Sequence, residues 1–209
     1  AFKRAAGPVL MKLLKEGDKN SLEKIRLLMT LFSTALLGAT FVCSVWSDFI
    51  ASFFLRGESY QDVYYVTIWI FMAYNYVSLY LGANLILMLN EKTSKFWSRA
   101  ILAMTFNILL NLIFVPVFGI IAAAVVSFFS YFILWLSSYH LKDYKRLNVE
   151  IIKPYIWFFL SFIFTILALL LVDLDIQYKA LATIMTLILC IAFIIWLSRY
   201  KYRNISLTS

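Results

Sequence analysis

Six long apolar runs alternate with short polar stretches, at residues 27–47, 63–89, 96–115, 119–139, 155–172 and 180–198. Each is close to the roughly 17–25 residues that cross a bilayer as a helix. Backbone polar groups must be satisfied internally in lipid, which leaves helices or closed barrels, and continuous runs without strict alternation select helices. The pattern predicts an all-α polytopic membrane bundle of six transmembrane helices. Ahead of it, Val9, Leu10, Leu13 and Leu14 recur at helical spacing beside Lys12 and Lys15. That spacing predicts a short interfacial helix, a break at Gly17-Asp18, and a first span opened by Ser21. A cleavable signal peptide is not expected, because a long polar stretch precedes the first apolar run. The chain starts mid-pattern without methionine, as expected of a piece of a longer one.

The expected organisation is an interfacial segment (1–26), four transmembrane helices (27–139), a loop (140–154), two peripheral transmembrane helices (155–198) and a tail (199–209). Only residues 116–118 join the third run to the fourth, so those two helices must form an antiparallel hairpin. Pro116 disfavours helix at the residue before it, and Gly119 is expected to allow close backbone approach. Gly119, Ala123 and Ser127 then recur every four residues, a small-residue stripe suited to helix packing in lipid.

Composition agrees with the bilayer as solvent. Hydrophobic residues make up 63% of the 209 and charged residues 14%, against about 45–50% and about 25% in soluble domains; mean hydropathy is +0.85. Cys43 and Cys190 sit inside apolar runs with no metal-binding or redox spacing, and read as small core residues.

Of the 19 lysines and arginines, all but Arg56 and Lys179 fall on one side of this topology. The positive-inside rule puts that side, with both ends of the chain, in the cytoplasm. The net charge of +8 therefore reads as topology signals beside anionic lipid headgroups, with no nucleic-acid partner expected.

Polar residues inside the runs are the candidates for function. Asn107 and Asn111 are four apart on the third span, and Tyr76, Tyr80 and Asn84 form a similar stripe on the second, near Asn75 and Ser78. Facing lipid, their amides and hydroxyls would be unpaired, so both stripes should face protein or water. They are either interhelical hydrogen-bond glue or one polar cavity wall. Amides and aromatic hydroxyls suit sugars. No carboxylate or strong base is expected deep in a span; Asp48, Asp62, Asp173 and Asp175 fall at outer ends, Arg99 at an inner one, and His140 abuts a loop. Without a titratable pair, a His/Asp/Glu cluster or a Gly-rich phosphate loop, no catalytic residue, metal or cofactor is expected, and the chain reads as a non-enzyme.

The stretch NEKTSKFWSRAILAMTFNILLNLIFVPVFGIIAAAVVSFFSYFI resembles the C-terminal half of bacterial polysaccharide flippases of the multidrug/oligosaccharidyl-lipid/polysaccharide exporter superfamily. The matching pieces are Lys92-Thr93, Asn107, Asn111, Pro116 with Phe118-Gly119-Ile120, the small run 122–124, and Ser130-Tyr131. Gly7-Pro8 is similar to the end of the preceding helix pair in that family. The resemblance implies the last six of fourteen helices in a two-lobed, alternating-access transporter of the bacterial inner membrane, whose N-terminal lobe lies outside this chain. The implied substrate is an undecaprenyl-linked oligosaccharide for cell-surface polysaccharide such as O-antigen, with its prenyl tail among the membrane lipids. Family members hold the pyrophosphate with cationic cavity residues, a role expected to fall to the other lobe. Two other readings stay open: a drug or metabolite antiporter of the same superfamily, and a membrane-embedded glycosyl- or acyltransferase.

Overall fold

The computed structural model describes residues 2–54, 63–89, 93–142 and 153–205. Arg56, Asp62, Lys92, most of the expected loop at 140–154 and the end of the tail lie outside them. Among the described residues every element is helical: α1 (Phe2–Glu16), α2 (Lys19–Val45), α3 (Ser47–Phe54), α4 (Val63–Ala73), α5 (Asn75–Leu89), α6 (Thr93–Tyr139), α7 (Pro154–Leu171) and α8 (Ile176–Ile205). Five helical stretches are long and apolar enough to cross a membrane, with α4 and α5 counted as one. The chain is an all-α, membrane-embedded bundle.

Helix α1 lies against α2 and α5. Its Leu10 is buried with Ile25, Met29, Ala83 and Leu85, while Lys12 and Lys15 stay exposed. Gly17 ends it at φ +65°, a left-handed backbone that favours glycine. Asp18 then caps α2, accepting the Ser21 N–H at 3.0 Å. This corrects the expected start at Ser21, whose hydroxyl instead reaches back to Glu16. Bonding from the Ser21 side chain and amide holds the Asp18 carboxyl below the usual carboxylate range.

The second apolar run is not one helix. It breaks at Tyr74, where the Tyr74 N–H is shared between the Ile70 and Phe71 carbonyls and the Val77 N–H returns to the Tyr74 carbonyl. These tight turns separate α4 from α5 inside the apolar region.

Helix α6 runs 47 residues, with Gly119 alone at a non-helical φ of 69° and ψ of −158°. A straight helix would hold residues 99 and 138 about 58 Å apart. Arg99 instead hydrogen-bonds Ser138, and Asn107 donates to Ser130 at 3.1 Å. The chain therefore folds back at Gly119, and α6 is an antiparallel hairpin. Its turn lies at Gly119 itself, past the expected joint at 116–118. The expected reason for that glycine is also corrected. A Cβ there would meet nothing within 4 Å, so conformation requires glycine and crowding does not: this φ/ψ region is essentially closed to other residues.

The small-residue stripe is corrected likewise. Ala123 and Ser127 are half-buried, and the Ser127 hydroxyl returns to the Ala123 carbonyl at 2.8 Å. The side chains buried beside them are Ala122, Ala124, Val126 and Phe128. Close helix approach occurs elsewhere. A Cβ on Gly38 of α2 would lie 2.7 Å from Cys190 Sγ of α8, and one on Gly82 of α5 would lie 2.4 Å from Met29 Cε.

An aromatic core fills the centre, with Trp69, Tyr76, Phe128 and Trp135 buried and in ring contact. Of the two last helices, expected at the periphery, α7 gives Trp157 and Ala168 to this core, and its C-cap residue Val172 joins them. Helix α8 rests on α2 and keeps most of its apolar surface outward.

Candidate functional site

The five residues expected to share one polar surface separate into three environments. Tyr76 is fully buried among Phe128, Phe132 and Trp135. It belongs to the core, which corrects its placement on a cavity wall. The reason is geometric: the stripe from Tyr76 to Asn84 climbs about 12 Å along α5, far enough to leave one neighbourhood and enter another.

Asn107 and Asn111 occupy the second environment, inside the α6 hairpin. Asn107 Nδ2 donates to Ser130 Oγ on the opposite arm, and Asn111 Nδ2 donates to Asn107 Oδ1 at 2.9 Å. Both are half-buried. Such bonds are worth about 0.6–2 kcal/mol in lipid. Asn107 is thus bonded across the two arms, as interhelical glue would be, whereas Asn111 bonds only within its own arm and its Oδ1 is buried without a partner among the described residues.

Tyr80 and Asn84 meet at the third. Arg99, near the start of α6, is only 5% exposed. Its Nε–H donates to the Lys95 carbonyl at 3.0 Å, Nη1 to the Ser138 hydroxyl, and Nη2 to Asn84 Oδ1 at 3.3 Å. The guanidinium carbon lies 5.9 Å from the centre of the Tyr80 ring, within cation–π reach. A guanidinium has five N–H donors, so three are committed and two are left. Among the described residues, every group bonded to it is neutral. A buried cation normally sits opposite a countercharge or a cluster of acceptors, and an anionic group would complement the donors left over here. Arg99 was expected at a span end as a topology signal. The signal for more was its place inside the apolar run at 96–115.

At the opposite end of the bundle, residues placed at span ends pair across helices. Lys179 of α8 bonds Asp48 of α3, the Trp46 indole N–H donates to Thr183 Oγ1 at 2.9 Å, and Tyr64 and Tyr65 donate to the two oxygens of Asp173 at 3.1 and 2.8 Å. These contacts tie α7 and α8 to the rest. His140 is exposed, its Nδ1 2.9 Å from the Leu136 carbonyl. Among the described residues, no three His, Cys, Asp or Glu side chains converge on a possible metal position.

No family model, no curated protein and no solved structure matches the chain.

Proposed function

We propose that this chain is the C-terminal part of a two-lobed transporter that flips a lipid-linked oligosaccharide across the bacterial plasma membrane for cell-surface polysaccharide synthesis. In this reading it crosses six times, with the α6 hairpin counting twice. The end bearing Arg99 and most of the basic residues is cytoplasmic. The observation that carries the reading is Arg99, a buried guanidinium that has, among the described residues, only neutral partners and two uncommitted donors. A phosphate or pyrophosphate joining glycan to prenyl chain supplies the missing negative charge in a bidentate geometry that suits arginine. The prenyl tail stays in lipid while the headgroup passes between the lobes, and no covalent bond is made or broken. The resemblance at residues 90–131 supplies the substrate class.

Arg99→Gln and Arg99→Lys in the full-length transporter test this. Surface polysaccharide per folded transporter should fall at least tenfold in Arg99→Gln and recover in part in Arg99→Lys, which keeps the charge but loses the fork. Unchanged polysaccharide per molecule in Arg99→Gln overturns the assignment.

A further inference from the structure

Arg99 is only 5% exposed, so an anion reaches it only when something that covers it moves. The guanidinium is held from three directions. Its Nε–H is committed to the carbonyl of Lys95, one turn back on the same helix, and that contact travels with Arg99. Its Nη1 bonds Ser138 on the returning arm of α6, and the Asn107–Ser130 bond ties that arm to the first. The third cover is α5, which supplies both the Tyr80 ring beside the guanidinium and the Asn84 amide oxygen on Nη2. At 3.3 Å the Asn84 contact is longer than an ordinary N–H···O bond of about 2.7–3.2 Å. Helix α5 is also not an uninterrupted continuation of α4, because the tight turns at Tyr74 stand between them.

A phosphate gripped by an arginine fork needs two parallel N–H groups. With Nε–H engaged, the fork that remains is Nη1 with Nη2. Asn84 holds one of those two nitrogens with a neutral oxygen, and bonds between charged groups are about twice as strong as neutral ones. We infer, building on the reading of Arg99 as an anion site, that Asn84 competes with the anion for Nη2. An arriving phosphate oxygen displaces the Asn84 amide, and the hold of α5 on the α6 hairpin is released in the same exchange. Asn84 is then a gatekeeping contact over Arg99 and does not serve to aim it.

Binding of inorganic pyrophosphate to the full-length transporter in lipid nanodiscs tests this, with affinity from calorimetry and exchange rates from 31P NMR. Asn84→Ala should bind about threefold more tightly, the scale of one neutral hydrogen bond withdrawn from competition. The gain should lie in the association rate, since Arg99 is then reached without first parting that contact. Asn84→Ser, one atom too short to span the contact, should behave the same and serves if the alanine variant does not fold. Asn84→Asp sets a carboxylate against the guanidinium and should bind about tenfold more weakly. A support that aims Arg99 would give the opposite sign: weaker binding and faster dissociation in Asn84→Ala. Weaker or unchanged binding in Asn84→Ala and Asn84→Ser, or a gain confined to dissociation, overturns the inference while leaving Arg99 as the anion site. No binding by the unaltered transporter, or binding unchanged in Arg99→Gln, removes Arg99 as that site and the competition with it.

Discussion

Lys179 on α8 donates to the Asp48 carboxylate on α3 at 2.5 Å, joining positions 131 residues apart. The two partners are unequally placed: the Lys179 side chain is 7% exposed and that of Asp48 38%. Removing one partner strands the other, and a stranded charge costs more where water cannot reach it.

Asp48→Asn should therefore destabilise more than Lys179→Met, because it leaves an ammonium buried, whereas the Asp48 side chain is 38% exposed although its Oδ1 is covered. The expected loss for Asp48→Asn is about 2–3 kcal/mol, below the full cost of breaking a wholly buried pair. Unfolding midpoints in detergent or bicelles measure the order. A larger loss for Lys179→Met would contradict the burial argument.

At the α6 turn, Gly119→Ala should cost about 1–3 kcal/mol, the strain of a side chain at φ 69° and ψ −158°. Gly119→Leu should cost nearly the same, since the space around a Cβ is open. Val117→Leu, on an exposed helical residue, should be close to neutral. Thermal stability of the three variants is the check. If leucine at 119 proves far worse than alanine, crowding rather than backbone conformation governs the position.

Gly38 presents the opposite case, an unremarkable helical backbone in a crowded place. Gly38→Ala drives its new Cβ against Cys190 Sγ and should cost about 1–3 kcal/mol through overpacking between α2 and α8. Cys190→Ala in the same chain removes the obstructing sulfur and should restore most of the loss. A double variant no more stable than Gly38→Ala alone would show that the contact is not limiting.

The membrane-embedded helices were legible because run length against bilayer thickness is a strong physical signal, and the fold-back followed from a join too short for any other path. The break at Tyr74 was not. Nothing in YNYVS lowers local hydropathy enough to announce a joint, and Asn75 reads the same whether it opens a helix or sits within one. Spacing of i, i+4 correctly put Tyr76, Tyr80 and Asn84 on one face of one helix. It carries no information about what that face meets, and the face here passes from an aromatic core to a buried arginine. Arg99 was obscured by its own charge, since a basic residue near a span end satisfies the topology rule whether it is hydrated or enclosed. The single glycines at 38 and 82 make the close contacts without a repeating motif, so only the partner side chains reveal them.

A turn made of one residue has a consequence for how this protein enters a membrane. There is no hydrophilic loop at Gly119 to anchor one arm of α6 on the far side while the other waits its turn. Asn107 and Ser130 find each other across the two arms, so an arm partitioning alone would carry amides into hydrocarbon without their match. Delivering both arms together lets those groups pair before they leave water. On the proposed topology of six crossings, the smallest unit of insertion at this point is therefore the hairpin.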